Sequence, residues 1–278
     1  MANDKQKPKI RQYDTTEWEF VYPKFWSPEM LHKAMVEAFR LFDKKPKKAE
    51  EDLLSLIEEY PYYFSAYSCL SELYRRQQKP DEALATVEQG YLKGKALFPE
   101  KFDFSKHKLS WLILDNRAWL RMCHSYGLEC LWQQQVPKAI EIFRMILSLN
   151  EGDNQGIRLL LMDTYMNTGD YKAAREHLKK NHDDPSIEFR FGEIVLDVLE
   201  DKIADADRKL PAAMQRNKYV VDEVAKEEHT PPPVDKTTEM LGGILQGSEQ
   251  QAHLYWESNK DLYAIPKVIE YFRSKQKQ

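Results

Sequence analysis

Two short stretches hold most of the side chains that could do chemistry. One is Leu114-Asp115-Asn116-Arg117, with Leu120-Arg121 just beyond it. The other runs from Leu149 to Arg158 and contains Asp153, Asn154 and Gln155. A guanidinium is a rigid fork of donors that matches a carboxylate or phosphate. If neighbouring helices bring Arg121 and Arg158 together, with His124 and Gln155 between them, the donors form an anion clamp. Its ligand would be an acidic side chain or a peptide C-terminus. The same arginines could instead pair with Asp115 or Asp153 and tie neighbouring elements together, because buried charges are usually paired within a structure. Both aspartates also suit the N-cap of a helix, where a carboxylate accepts otherwise unpartnered backbone N–H groups.

Other chemistries find no support. The histidines, at 32, 107, 124, 177, 182, 229 and 253, have no HxxxH spacing, and GxxxxGK[ST], GxSxG and HExxH are absent. Cys69, Cys123 and Cys130 form no CxxC pair. No catalysis, metal or cofactor is expected. A formal net charge of -4 provides no global field for nucleic acid, and Lys44 to Lys48 reads as a solvated turn between helices. The polar, lysine-rich start is not a secretory signal, and no apolar run is long enough to cross a bilayer. These features together suggest a reduced, cytoplasmic protein that binds neither nucleic acid nor membrane.

The elements that must position these groups follow from a repeat. Ala49 with Leu53 recurs as Ala83 with Val87, 34 residues on. Ala139 with Phe143 recurs at the same interval as Ala173 with His177. Upstream of each alanine from 83 onward lies a second pattern of large, large, small and large. It comprises Tyr67, Leu70, Ser71 and Tyr74, then Cys123, Tyr126, Gly127 and Cys130, then Ile157, Leu160, Leu161 and Thr164. Small residues let two helices cross closely while large ones fill the holes between them. A weaker unit starts near Glu188, with Phe191, Ile194, Val195 and Val198. At the other end, Ser27-Pro28-Glu29 opens a helix through Phe39 towards Phe42, paired with the Ala49 helix.

This pattern resembles the tetratricopeptide repeat, a pair of antiparallel helices. The resemblance implies an all-α, right-handed α-solenoid, to which the residues themselves add an aromatic N-terminal arm and a C-terminal helical cap. Leu109 to Arg121, Leu149 to Arg158, and Gly247-Ser248-Glu249 onward to Tyr271 also look like segments of an uncharacterised bacterial tetratricopeptide family. That likeness implies the fold and no settled activity. The expected domains are an arm over 1–26, repeats over 27–217 with an insertion near 91–115, a linker over 218–247 and a cap over 248–278. Trp18, Phe20 and Tyr22 alternate as an extended segment docked on one side would. Ser248 and Gln251 have capping-box spacing.

In such a fold the first helix of each pair lines a concave groove. Arg75, Arg121, His124, Trp132, Gln155, Arg158 and Tyr165 belong to that lining. Asp115 and Asp153 lie 38 residues apart, so the earlier helix begins about a turn early and carries Asn116 and Arg117 beyond the groove edge. The expected function is a scaffold or adaptor that takes a partner protein or peptide with an acidic group, resembling the carboxylate-clamp repeats of chaperone adaptors. Two alternatives stay open. One is a catalytic or regulatory subunit that uses Asp115, Asn116, Arg121 and Arg158 on a small anionic ligand. The other is self-assembly through the arm, and the oligomeric state is undetermined.

Overall fold

The computed structural model describes residues 7–233 and 243–276. The chain divides into two compact units, one ending at Arg158 and the other beginning at Leu159.

The first unit opens with an antiparallel hairpin of β1 (Lys9–Gln12) and β2 (Trp18–Val21). Three helix pairs follow: α1 (Pro28–Arg40) with α2 (Pro46–Glu59), α3 (Phe64–Arg76) with α4 (Pro80–Lys95), and α5 (Leu114–Trp132) with α6 (Val136–Leu149). Ser27 caps α1, its hydroxyl accepting from the Met30 N–H at 3.3 Å. Proline occupies the first turn of α2, α4 and α6, where its missing N–H costs nothing. That register places Lys47 and Lys48 in the first turn of α2 rather than in a turn between helices, and Lys48 pairs with Asp52 at 2.7 Å. Ala49, Ala83 and Ala139 are fully buried. Gly127 meets Phe143 so closely that an added Cβ would lie 2.4 Å from the ring, so only a glycine admits this helix crossing.

The insertion ends α4 at Lys95 and folds its rings inward. Phe98 lies 4.8 Å from the buried Trp119, and Phe102 packs edge-on against Trp18 at 5.3 Å. The arm is the other wall of this aromatic core: Trp18 and Phe20 are buried, and Phe20 lies 5.9 Å from Trp119. Burial without a partner also raises the Tyr22 hydroxyl pKa far above its ordinary value.

The second unit contains most of α7 (Ile157–Asn167), with α8 (Tyr171–Lys180), and the pair α9 (Ile187–Leu199) and α10 (Ile203–Arg216). α11 (Val220–Ala225), α12 (Glu249–Ser258), α13 (Lys260–Tyr263) and α14 (Pro266–Ser274) follow. Tyr165 and His177 join α7 to α8 through rings 5.8 Å apart. The alanine register here differs from expectation by one position: Ala174 is fully buried and Ala173 is not. α8 turns its 174/177/178 face inward, so Leu178 and His177 take up the packing together. The expected linker also differs, since Val220, Val221 and Val224 are buried on α11. Those residues have helical spacing, which outweighs the polar composition around them. Residues 234–242 of that expected linker lie outside the described residues. Ser248 caps α12, accepting from the Gln251 N–H at 3.1 Å.

The repeat is also visible in the backbone. The turns after α3, α5, α7 and α9 each close with an N–H reaching back five residues: Lys79 to Tyr74, Gln135 to Cys130, Asp170 to Tyr165 and Lys202 to Asp197, at 2.8–2.9 Å. Each of these turns holds one residue at positive φ, namely Gln78, Gln134, Gly169 and Asp201. This is the Schellman closure of a helix C-terminus, and glycine occupies only one of the four. No helix among the described residues is long and apolar enough to cross a membrane.

Candidate functional site

The sequence Asp115-Asn116-Arg117 opens α5, and its side chains have three different tasks. Asn116 is fully buried and not, as expected, carried to a groove edge. Its carbonyl oxygen accepts from the Phe20 N–H at 2.9 Å, and its amide donates to the carbonyls of Trp18 and Ser110, each at 3.1 Å. One side chain thus fastens the hairpin and the insertion to α5. Arg117 donates from Nε to the Trp111 carbonyl at 2.7 Å. Asp115 is exposed and lies inside the first turn; Ile113 is the capping residue and makes no side-chain cap bond. The N-cap expectation for Asp115 therefore fails, because the helix starts two residues earlier than a cap at the aspartate implies. Partial desolvation, then the nearby Glu19, raises its carboxyl pKa.

These contacts build a surface. The guanidinium carbons of Arg117 and Arg121 lie 5.3 and 5.2 Å from the centroid of the Trp111 ring. A cation over an indole face gains about 0.5–1 kcal/mol at exposed sites and keeps its N–H groups available at the edge. Among the described residues, no carboxylate lies within ion-pair distance of Arg117 or Arg121. Leu112 and Leu114, on the same turn, are 82% and 69% exposed. Trp111 falls within the expected insertion near 91–115, and its part in this surface was not foreseen. The signal that could have revealed it was a tryptophan ahead of two arginines with solvent-facing leucines between.

The second polar stretch behaves differently. Asp153 takes positive φ and caps α7, accepting from the N–H groups of Ile157 at 2.7 Å and Arg158 at 3.1 Å. It also pairs with Arg158 Nη1 at 2.8 Å. Arg158 is therefore committed to the loop that precedes its own helix. Gln155 donates to the Leu120 carbonyl at 3.2 Å and lies 3.3 Å from His124 Nδ1, which ties this loop to α5. Desolvation lowers the His124 pKa against the opposing field of Asp153, so the imidazole is neutral at pH 7.

Arg75 lies over the Trp132 ring at 4.0 Å and is held by Glu72 and by buried Glu129 at 3.5 Å. Glu129 also accepts from Ser71 at 3.0 Å, so this group links α3 to α5. Burial raises its carboxyl pKa. Trp132 is 51% exposed. Tyr165 belongs to the second unit, where it is buried. No group of three or more metal-ligating side chains occurs among the described residues.

The fold is that of a tetratricopeptide-like protein, stacked antiparallel helix pairs of the repeat type. Within that class, the chain belongs to the Tcf25 family: the family model described as Transcriptional repressor TCF25 matches residues 32–278. The expected membership of a bacterial tetratricopeptide family is thereby overturned, and the LDNR and DNQGxR segments fall within the Tcf25 match. No curated protein matches the chain. Solved structures share 13–15% identity with it. A tetratricopeptide repeat protein from Parabacteroides merdae has a TM-score of 0.49 at 15% identity, covering 88% of this chain and 98% of that one. Pseudomonas aeruginosa PilF gives 0.44 at 13%, covering 89% and 100%. YrrB, a TPR protein with an unusual peptide-binding site, gives 0.46 at 14%, covering 66% and 84%.

Proposed function

We propose that this protein is a non-catalytic interaction scaffold, and that the face of α5 around Trp111, Arg117 and Arg121 takes an acidic group of a partner protein. The observation that carries this reading is the Arg121 guanidinium, which is stacked on an indole and unmatched by any described carboxylate. Tryptophan and arginine dominate the energetics of protein interfaces. Leu112 and Leu114 would add apolar contact next to the charged edge. Trp132 lies on the same face of α5 as Arg121, about 16 Å along the helix, and with Arg75 of α3 over its ring it would extend the surface for a longer partner segment. Gln155, through the Leu120 carbonyl and His124, holds the loop before α7 against α5.

The described transcriptional repressor role of the family suits a protein that acts through a bound partner rather than through DNA, given the net charge of -4. The alternative of chemistry on a small anion is less well served, because Asn116 is spent on the hairpin and Arg158 on Asp153.

Affinity capture from native extract, quantified for wild type, Arg121→Ala and Arg158→Ala, tests the proposal. Arg121→Ala should lose a defined partner while melting at the wild-type temperature. Retention of every partner by a folded Arg121→Ala protein would refute it.

A further inference from the structure

Among the described residues the hairpin has one closed edge and one open edge. On the far side of β2 from β1, the Trp18 N–H donates to the Lys108 carbonyl at 2.9 Å. Asn116 occupies the Phe20 N–H and the Trp18 carbonyl there. Opposed residues of an antiparallel pair alternate between exchanging backbone hydrogen bonds and directing those groups outward. Trp18 and Phe20 point theirs away from β1, so their partners Gln12 and Ile10 must also point theirs outward, on the opposite edge. No third strand lies beside β1 among the described residues. Among the described residues, the N–H and C=O of Ile10 and Gln12 therefore form a short ladder without a strand partner.

That ladder borders an open concavity of about 520 Å³, walled on its other side by Pro99 and Lys101. Its charged lining is entirely basic: Lys9, Arg11 and Lys101. Glu19 offsets Arg11, with Arg11 Nε at 2.9 Å, and Lys101 lies 5.1 Å over the Trp18 ring. The hairpin is anchored by buried Trp18 and Phe20, so an added strand would meet a preformed edge.

We infer that β1 is a docking edge for an extended, acidic segment of a partner protein, which adds as a third strand with its carboxylates facing Lys9 and Lys101. Main-chain bonds to Ile10 and Gln12 supply the pairing, and the basic wall selects the charge. A second copy of this hairpin is a poor occupant, since it would set Lys9 and Arg11 against their own kind. This site is separate from the Arg121 surface and does not depend on it.

The test is fluorescence anisotropy of the full chain with a fluorescein-labelled octapeptide of alternating Glu and Val. It should bind with saturation. The same peptide with every backbone nitrogen methylated keeps its charge but cannot donate, and should bind at least tenfold more weakly. The Lys9→Glu/Lys101→Glu variant, altered at exposed positions, should lose at least tenfold, while Arg121→Ala should bind unchanged. Amide NMR shifts on binding should be largest at Ile10 and Gln12. Absence of binding to wild type, or equal binding of the methylated peptide, would overturn the inference. Equal binding of the methylated probe would show attraction by charge alone.

Discussion

Arg121 in the first unit and Arg175 in the second are the same side chain under opposite conditions. Arg175 is closed in a network: Asp197 at 2.5 Å, Glu200 at 2.9 Å, with Lys209 sharing Asp197 and reaching Glu193 at 2.8 Å. Arg175 and Lys202 together hold the Glu200 carboxyl down at about 2. Arg121 has an indole face and no described carboxylate. Guanidinium chemistry alone therefore says little about function; what distinguishes a stapling arginine from a recognising one is whether its counter-charge belongs to the same molecule. In the second unit the counter-charge is internal; on the Trp111 surface no described carboxylate supplies it, and under the proposed function a partner does.

The largest effect is expected at Asp197, which is almost fully buried. Asp197→Ala should cost about 3–5 kcal/mol by leaving Arg175 and Lys209 uncompensated, read as a fall in the chemical-denaturation midpoint. A loss below 1 kcal/mol would mean the network is solvated and the contrast with Arg121 unfounded. Next in size is Asn116→Ala. It strands a buried N–H and two carbonyls, and should cost about 2–4 kcal/mol. Hydrogen exchange should accelerate first at the Phe20 amide.

Much of this was legible in the sequence. The buried alanines at 49, 83 and 139 and the tight crossing at Gly127 follow from the spacing of small and large residues. The Ser27 and Ser248 caps follow from local chemistry, and the inward-facing Trp18 and Phe20 from alternation. What the sequence hid were choices between equally good partners. Asp115 and Asp153 both precede asparagine at a helix start, yet only Asp153, at positive φ, caps. Asn116 and Arg117 read as a polar pair at an edge. Nothing local reveals that one of them reaches a strand 96 residues earlier in the chain. Ala173 and Ala174 are adjacent, and tertiary packing rather than the 34-residue interval selects the second.

A smaller effect sharpens the rule about internal counter-charge. Asp163 is a recessed carboxylate that, among the described residues, has no ion-pair partner; Asn259 lies at 3.5 Å and Glu188 is close enough to repel it. Burial, then Glu188, pushes its pKa up to about 7. A carboxyl whose folded pKa lies above its unfolded value of about 3.9 favours the folded state when protonated. That advantage is complete at low pH and disappears as pH rises towards 7. Asp163→Asn should therefore gain about 1–3 kcal/mol at pH 7.5 and flatten the pH dependence of stability between 4 and 7. An unchanged profile would place Asp163 in contact with solvent.

Photocrosslinking tests partner contact at the Trp111 surface most directly. With a benzophenone amino acid at position 112, where Leu112 faces solvent, the chain should form one discrete crosslinked species in native extract. The species should vanish when Arg121→Glu is added. No crosslink at 112, or one that survives the charge reversal, would contradict the assignment of this face to partner binding.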